Sequence, residues 1–183
     1  MSIRQDLIDI LKAQSYEERE VTLSSGKKSN FYFDGKMTTT DPYGAWLVGK
    51  LIFEAIRDLK PDGVGGMSIG ADPITTAVTI VSHLEGQPIT GFLIRKEPKK
   101  HGKRLSIEGG YNLKEGSRVV MVEDVVTTGG STLKAIEKSE EAGFKVIKVI
   151  SIVDRQEGGR EAIEAAGYSF DSLFTKRDIV TPL

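Results

Sequence analysis

Apolar residues along the chain recur first at helical spacing and then in short runs. Ile3, Leu7, Ile10 and Leu11 predict an amphipathic N-terminal helix that packs on the body. In the stretch Val21 to Asp34, apolar and aromatic residues flank a Ser-Gly-Lys-Lys-Ser turn, the pattern of a hairpin with an aromatic return strand. Asp41-Pro42 supplies an N-cap acid and a first-turn proline. The helix it opens is predicted to bury Trp46, Leu47, Leu51, Ala55, Ile56 and Leu59 and to stop at Pro61-Asp62-Gly63. Strands and helices then alternate: strand Val64 to Met67, helix Ile74 to Leu84, strand Pro88 to Ile94 and strand Val119 to Val122. Helix Leu133 to Ala142 follows, stopped by Gly143, then strand Val146 to Val153, helix Glu161 to Ala166, strand Phe170 to Phe174 and a tail at Arg177-Asp-Ile-Val. Short β-branched runs without alternation mark strands buried on both faces. The predicted class is α/β, a central and mostly parallel sheet flanked by helices, with a small N-terminal hood from about residues 1–40.

Composition narrows this picture. At 183 residues, with 39% hydrophobic and 28% charged positions, the chain is expected to form one domain over 1–183 with a substantial core. A formal charge of −1 gives no global pull toward nucleic acid or an anionic membrane. The absence of cysteine excludes disulfides, a thiol nucleophile and Cys-based metal sites, and fits a reducing cytoplasm. No signal peptide is read before the first helix, and no apolar run is long enough to span a bilayer.

The chemistry concentrates in Arg118 to Thr132, where an apolar run meets Glu123 and Asp124 and then Thr127-Thr128-Gly129-Gly130-Ser131-Thr132 before a helix. A strand entering a Gly/Thr loop and a helix N-terminus aims backbone N–H groups at one point, a phosphate site. Two acids beside an anion make sense when they face hydroxyls or a hydrated Mg²⁺ on the same ligand, so a sugar phosphate fits. The Walker pattern is absent, since no Lys follows the glycines. A plain acidic turn with a helix cap is the competing reading. Ser68-Ile-Gly-Ala-Asp-Pro73 repeats the strand-loop-helix arrangement and is equally an ordinary helix start. Arg95 to Arg104 is dense in cations and reads as a long loop, either solvated or ligand-facing. Asp154-Arg-Gln-Glu-Gly-Gly159 follows a strand end, where open α/β sheets place ligands. His83, near a helix end, reads as a surface or capping residue.

Taken together these blocks, from Thr22 to about Gly159, resemble the type I phosphoribosyltransferases and, within them, the orotate phosphoribosyltransferases. The apolar strand, two acids, two residues and Thr-Thr-Gly resemble the phosphoribosyl-diphosphate signature. Arg-Lys-x-x-Lys-x-His-Gly followed by Ile107-Glu-Gly resembles the catalytic loop, and Ser-Gly, Ser and aromatics resemble the hood. The resemblance implies that Glu123 and Asp124 bind ribose hydroxyls and that Thr127, Thr128, Gly129, Gly130 and Ser131 wrap the 5-phosphate, with Val125 and Val126 in the same contact run. Arg95, Lys96, Lys99 and His101 would bind the diphosphate, and Lys99, His101 and Asp124 would be catalytic. Tyr32, Phe33, Thr127 and Arg155 would hold orotate, with Arg155 on its carboxylate. Mg²⁺ would be held mainly through the diphosphate substrate, with no direct protein ligand required. A homodimer sharing the cationic loop across its interface is also implied. The chain departs from the family pattern at Glu123, where Asp is also common, at Ser24, where Lys often stands, and in the Ser68–Pro73 loop, which resembles the family's diphosphate-binding loop but has none of the Lys that many members carry there. A phosphoribosyltransferase for another base, or a non-catalytic nucleotide sensor on the same fold, are the rival readings.

Overall fold

The computed structural model describes residues 2–22, 28–97 and 106–180. Its first helix, α1 (Ile3–Ile10), buries Leu7, and a π-type turn buries Leu11, as the apolar spacing predicts. Strands β1 (Tyr16–Thr22) and β2 (Lys28–Phe33) pair antiparallel as a separate two-stranded hood, with a bulge between Glu18 and Val21. The connecting turn, including Ser24, lies outside the described residues. A short helix α2 (Lys36–Thr39) leads to α3 (Pro42–Ile56), where Asp41 Oδ1 accepts hydrogen bonds from the N–H groups of Tyr43 and Gly44.

The body then runs β3 (Gly63–Met67), α4 (Ala71–Leu84), β4 (Thr90–Ile94), β5 (Ile107–Gly109), β6 (Arg118–Val126), α5 (Gly130–Glu141), β7 (Lys145–Asp154), α6 (Gly159–Ala165), β8 (Phe170–Thr175) and α7 (Lys176–Val180). Six strands form one sheet in the order β5-β4-β3-β6-β7-β8, parallel except for the β4–β5 pair. From β3 the chain winds outward through β4, and from β6 it winds the other way through β7 and β8. The reversal lies between β3 and β6, and a ligand crevice opens at the carboxyl ends of strands flanking such a switch point.

Alternation along β6 fills both faces. Val120 and Val122 join the core under α1, α3 and α4, while Val119 and Met121 join the core under α5 and α6. The central sheet is packed so closely that three of the five residues of β3 are glycine. A Cβ on Gly66 would lie 2.1 Å from the Val122 carbonyl oxygen and 2.6 Å from the Ala71 Cβ.

Several boundaries differ from the sequence expectation. Trp46 and Ala55 are exposed on α3, and its buried stripe is Leu47, Val48, Ile52, Phe53 and Ile56. Gly49 faces α4 at backbone distance, a Cβ there meeting Ala77 atoms at 2.9 Å, and Trp46 stacks on Tyr43 at the surface. The predicted tail is helix α7, buried through Ile179 and capped by the Asp178 carboxylate, which accepts from the Thr175 N–H at 2.7 Å. Strand β5 lies inside what reads as loop and is held by pairing with β4.

Gly66→Ala is expected to destabilise the protein by about 2 kcal/mol or more, because the clash is with backbone that cannot move aside. A lowering of Tm by roughly 5 °C in a thermal melt is the corresponding readout, and an unchanged Tm would contradict the close packing.

Candidate active site

The carboxyl end of β6 organises the crevice. Pairing with β7 continues past the acids, Glu123 opposite Ser151 and Val125 opposite Val153, so the strand runs to Val126 rather than ending at Val122. Period-2 alternation then sends the two acids to opposite faces. Glu123 is buried toward α5, with the Ser131 hydroxyl 3.5 Å from its Oε2. Asp124 is half-buried and turned toward the α4 side, where two glycines close on it. A Cβ on Gly35 would meet the Asp124 Cβ at 2.8 Å, and one on Gly70 would meet its Oδ1 at 2.7 Å. Gly35 closes the hood segment and Gly70 opens α4, so three separate elements converge on one carboxylate.

Beyond β6, Gly129 takes φ +79°, and α5 begins at Gly130, three residues before the predicted start. Thr127, Thr128, Gly129, Gly130 and Ser131 therefore form a bend leading straight into the free N–H groups of a helix N-terminus. Gly159, at the start of α6, supports the bend from beneath: a Cβ there would lie 2.7 Å from the Thr127 carbonyl oxygen.

Burial raises the Glu123 pKa well above the ordinary carboxylate range, and the neighbouring Asp124 charge raises it further.

On the other wall, the Ser68 hydroxyl donates to Asp72 Oδ1 at 2.9 Å, and the Ser68 N–H donates to the Ile94 carbonyl at 2.8 Å. Ser68, Asp72, Arg95, Lys96 and Glu108 line a cavity of about 420 Å³. The Arg95 guanidinium is 2.5 Å from Glu108 across the β4–β5 pair. Lys138, on α5, donates to the carbonyls of Arg95 and Lys96 at 2.7 and 2.8 Å, tying the root of the cationic segment to the helix of the phosphate bend. Lys99 and His101 lie outside the described residues. His83 is exposed in the last turn of α4, as its position in the sequence suggests.

The hood covers the β7 end of the crevice. Phe31 and Phe33 stack at 5.9 Å on one face of β2, with Phe31 buried in the core, whereas Tyr32 alternates to the other face beneath the Arg19 guanidinium. Tyr32 lines a cavity of about 280 Å³ together with Gln14, Tyr16, Arg19 and Asp34. Arg155 is buried at the end of β7. Its Nη2 donates to the Phe31 carbonyl at 3.2 Å and lies 3.2 Å from Glu157 Oε1, and its guanidinium is 5.0 Å from the Phe31 ring. Among the described residues, no group of three or more Asp, Glu or His side chains converges as a metal cage.

The model of the phosphoribosyl transferase domain family matches residues 47–172. An orotate phosphoribosyltransferase of Rhodopseudomonas palustris (strain TIE-1) is 48% identical over 174 residues, spanning 93% of this chain and 92% of that protein. The chain belongs to the orotate phosphoribosyltransferase family. A Bradyrhizobium sp. (strain ORS 278) orotate phosphoribosyltransferase is 46% identical and covers 97% of both chains. The crystal structure of Mycobacterium tuberculosis H37Rv orotate phosphoribosyltransferase in complex with 5-phospho-α-D-ribosyl 1-diphosphate superposes with a TM-score of 0.81, at 34% identity, over 98% of this chain and 100% of that one.

Sequence reasoning gave no separate role to Gly35, Gly70, Gly159, Lys36 or Lys138, although Gly70 and Gly159 fall inside blocks that it singled out. A glycine read singly signals a turn, whereas these three mark close approach between elements far apart in the chain. Lys36 follows Asp34-Gly35 directly after the aromatic strand, and that adjacency to the hood was the available signal.

The raised Glu123 pKa has a consequence for stability. The unfolded chain releases this proton at lower pH than the folded one, so stability falls as pH rises from the ordinary Glu range through the folded pKa. Glu123→Gln is expected to melt at higher temperature than the parent at pH 8, with the gain shrinking toward pH 4. A gain that is the same at both pH values would contradict the burial of an ionisable acid.

Proposed function

We propose that the chain transfers the ribosyl 5-phosphate group from 5-phospho-α-D-ribose 1-diphosphate to orotate, giving orotidine 5′-monophosphate and diphosphate in pyrimidine biosynthesis. The observation that carries this reading is the Asp124 carboxylate held between Gly35 and Gly70 at the switch point, with the phosphate bend beside it. The relatives named above carry the orotate phosphoribosyltransferase name. In this reading residues 1–183 act as one catalytic unit with the hood at about 1–40.

The 5-phosphate docks on Thr127, Thr128, Gly129, Gly130 and Ser131, where α5 offers N–H groups and the positive end of its dipole. Asp124, which faces the crevice, takes the ribose hydroxyls. Glu123, expected from the sequence to share that role, is buried on the opposite face of β6 and stands 3.5 Å from the Ser131 hydroxyl, where it supports the bend together with Val125 and Val126. Orotate enters under the hood between Tyr32, Phe33 and Thr127, and Arg155 pairs with its carboxylate. Arg155 is already desolvated and oriented by Glu157 and the Phe31 carbonyl, so little reorganisation is needed. The bond from C1 of the ribose to the diphosphate breaks, its electron pair leaves with the diphosphate, and a ring nitrogen of orotate attacks the oxocarbenium-like carbon while its N–H proton passes to the departing diphosphate. Arg95, Lys96, Lys99 and His101 meet the growing charge on the leaving group.

Mg²⁺ would be held mainly through the oxygens of the diphosphate substrate and water, beside the half-buried Asp124 carboxylate, with no direct protein ligand required. When bound there, the ion supplies charge neutralisation to the diphosphate. We place the enzyme in the cytoplasm, consistent with its cysteine-free composition. We assign it as a homodimer, a reading supported by the exposed apolar side chains of Tyr43 and Trp46 on α3 and of Ile80 and Leu84 on the adjoining α4.

Orotate-dependent release of diphosphate with Mg²⁺, measured beside uracil and purine bases, tests the substrate assignment. Preference for another base would replace it. Asp124→Asn is expected to lower turnover by roughly tens- to thousands-fold without unfolding the protein. Folded variant protein within twofold of the parent rate would remove Asp124 from the chemistry.

Sharing of the cationic loop is tested by mixing inactive subunits. Lys99→Ala and Asp124→Asn proteins are unfolded and refolded together in equal amounts. If the loop acts across the interface, each heterodimer has one intact site and one doubly damaged site, and random pairing restores about a quarter of parental activity. Activity that stays near zero would mean that each loop serves its own subunit.

A further inference from the structure

The Ser68–Pro73 loop poses an electrostatic problem. It carries Asp72 and no Lys or Arg, and it lies against Asp124 through Gly70. A diphosphate drawn to this wall would meet carboxylates from two directions. Arg95 and Lys96 share a cavity with Ser68 and Asp72, and a further cation stands on the hood side of Asp124. Lys36 opens α2, immediately after the glycine whose backbone packs on the Asp124 side chain. Its ammonium is 2.6 Å from Asp34 Oδ1, and the Asp34 carboxylate also accepts from the Lys36 backbone N–H at 3.1 Å. The side chain is thus directed by its own helix start instead of trailing into solvent.

We propose that Lys36 is a substrate-binding residue that contacts the diphosphate group, supplying from the hood exit the cation that the Ser68–Pro73 loop lacks. The inference rests on the proposed phosphoribosyl transfer and adds a residue to its diphosphate subsite. Three features argue for a ligand role over a plain surface ion pair. First, the order of elements across the crevice is the phosphate bend, then Asp124, then Gly35 and Gly70 together. A ligand whose 5-phosphate occupies the bend and whose ribose meets Asp124 therefore carries its diphosphate toward Gly70 and Lys36. Second, the ammonium has three N–H donors and the Asp34 contact uses one, leaving donors for phosphate oxygens. Third, the Lys36–Asp34 pair is partly solvated, 45% and 25% exposed, and such a pair is weak enough for a doubly charged group to compete. The electrostatic surroundings agree: the Asp34 hydrogen bond raises the Lys36 pKa against the opposing effect of burial, and the charges of Asp34, Asp124 and Tyr32 raise it further.

The test is calorimetric binding of inorganic diphosphate with Mg²⁺, and separately of orotidine 5′-monophosphate, to the parent, Lys36→Met and Lys36→Arg proteins. Lys36→Met is expected to weaken diphosphate binding by about tenfold or more, as for loss of a charge-assisted contact, with orotidine 5′-monophosphate changed less than about twofold. Lys36→Arg is expected to retain most of the diphosphate affinity. In steady-state assays the KM for 5-phospho-α-D-ribose 1-diphosphate rises and that for orotate does not. Unchanged diphosphate affinity in Lys36→Met would reduce Lys36 to a surface ion pair and overturn the proposal. Equal losses for both ligands would mean a disturbed Asp124 wall, and a loss confined to the nucleotide would mean a base contact, so either overturns it too. Diphosphate binding is measured without orotate, so parent protein that binds diphosphate but does not turn over orotate would fail the functional reading while still testing Lys36.

Discussion

Close approach of main chain to the Asp124 carboxylate is the constraint on which the crevice depends. The end of β6, the hood exit and the start of α4 meet there because positions 35 and 70 have no side chain. A methyl group at either would meet the Asp124 side chain at 2.8 or 2.7 Å and push one of the two aside by roughly half an ångström. The same economy recurs below the phosphate bend, where Gly159 lets α6 reach the Thr127 carbonyl. The crevice is thus shaped by backbone, which moves less than side chains do. Among the described residues its acidic centre has no dedicated salt bridge; Asp124 Oδ1 accepts from the Val125 N–H at 2.9 Å, and the carboxylate faces the crevice.

The two acids at this strand end are chemically alike but differ in environment. Glu123 faces the packed interior under α5 and resists ionisation, whereas Asp124 faces the crevice. Burying an acid beside another acid lowers stability, and functional sites commonly carry such local costs. The hood divides its aromatics in a similar way. Phe31 and Phe33 lie on the face of β2 that meets Arg155, and Tyr32 lies on the opposite face with Arg19. Adjacent residues in an extended strand cannot share a face, so Tyr32 and Phe33, both expected from the sequence to contact one base, lie on opposite sides of the hairpin.

The parallel sheet and its helices were legible because buried β-branched runs and capped apolar helices carry strong local signals. The Asp41-Pro42 start and the Gly143 stop fall where the sequence puts them. What was not legible depends on contacts distant in sequence. Glu123 and Asp124 are poor strand formers, yet β7 supplies partners that carry β6 through them. Three residues at Ile107–Gly109 have no independent strand signal and exist as β5 because the edge of β4 is there to pair with. On α3, the stacking of Trp46 on Tyr43 at the surface and the approach of Gly49 to Ala77 are contacts invisible to periodicity alone. In the site, the acid pair and the Thr-Gly bend stood out as a motif. Lys36 and Lys138 did not, because a lone lysine on a helix ordinarily means solvent.

Lys138 gives the sheet order a mechanical meaning. Strands β4 and β6 are not neighbours, since β3 lies between them, yet the Lys138 side chain joins the root of the segment after β4 to the helix that follows β6. It is a strut across the switch point, fastened by two charge-assisted hydrogen bonds worth about 1.5–3 kcal/mol each. The wall that carries the cations and the wall that receives the phosphate consequently have a fixed span. Tilting α5 to suit a differently sized ligand would pull on the carbonyls of Arg95 and Lys96, so the width of the crevice is a property of the scaffold, set before any ligand arrives.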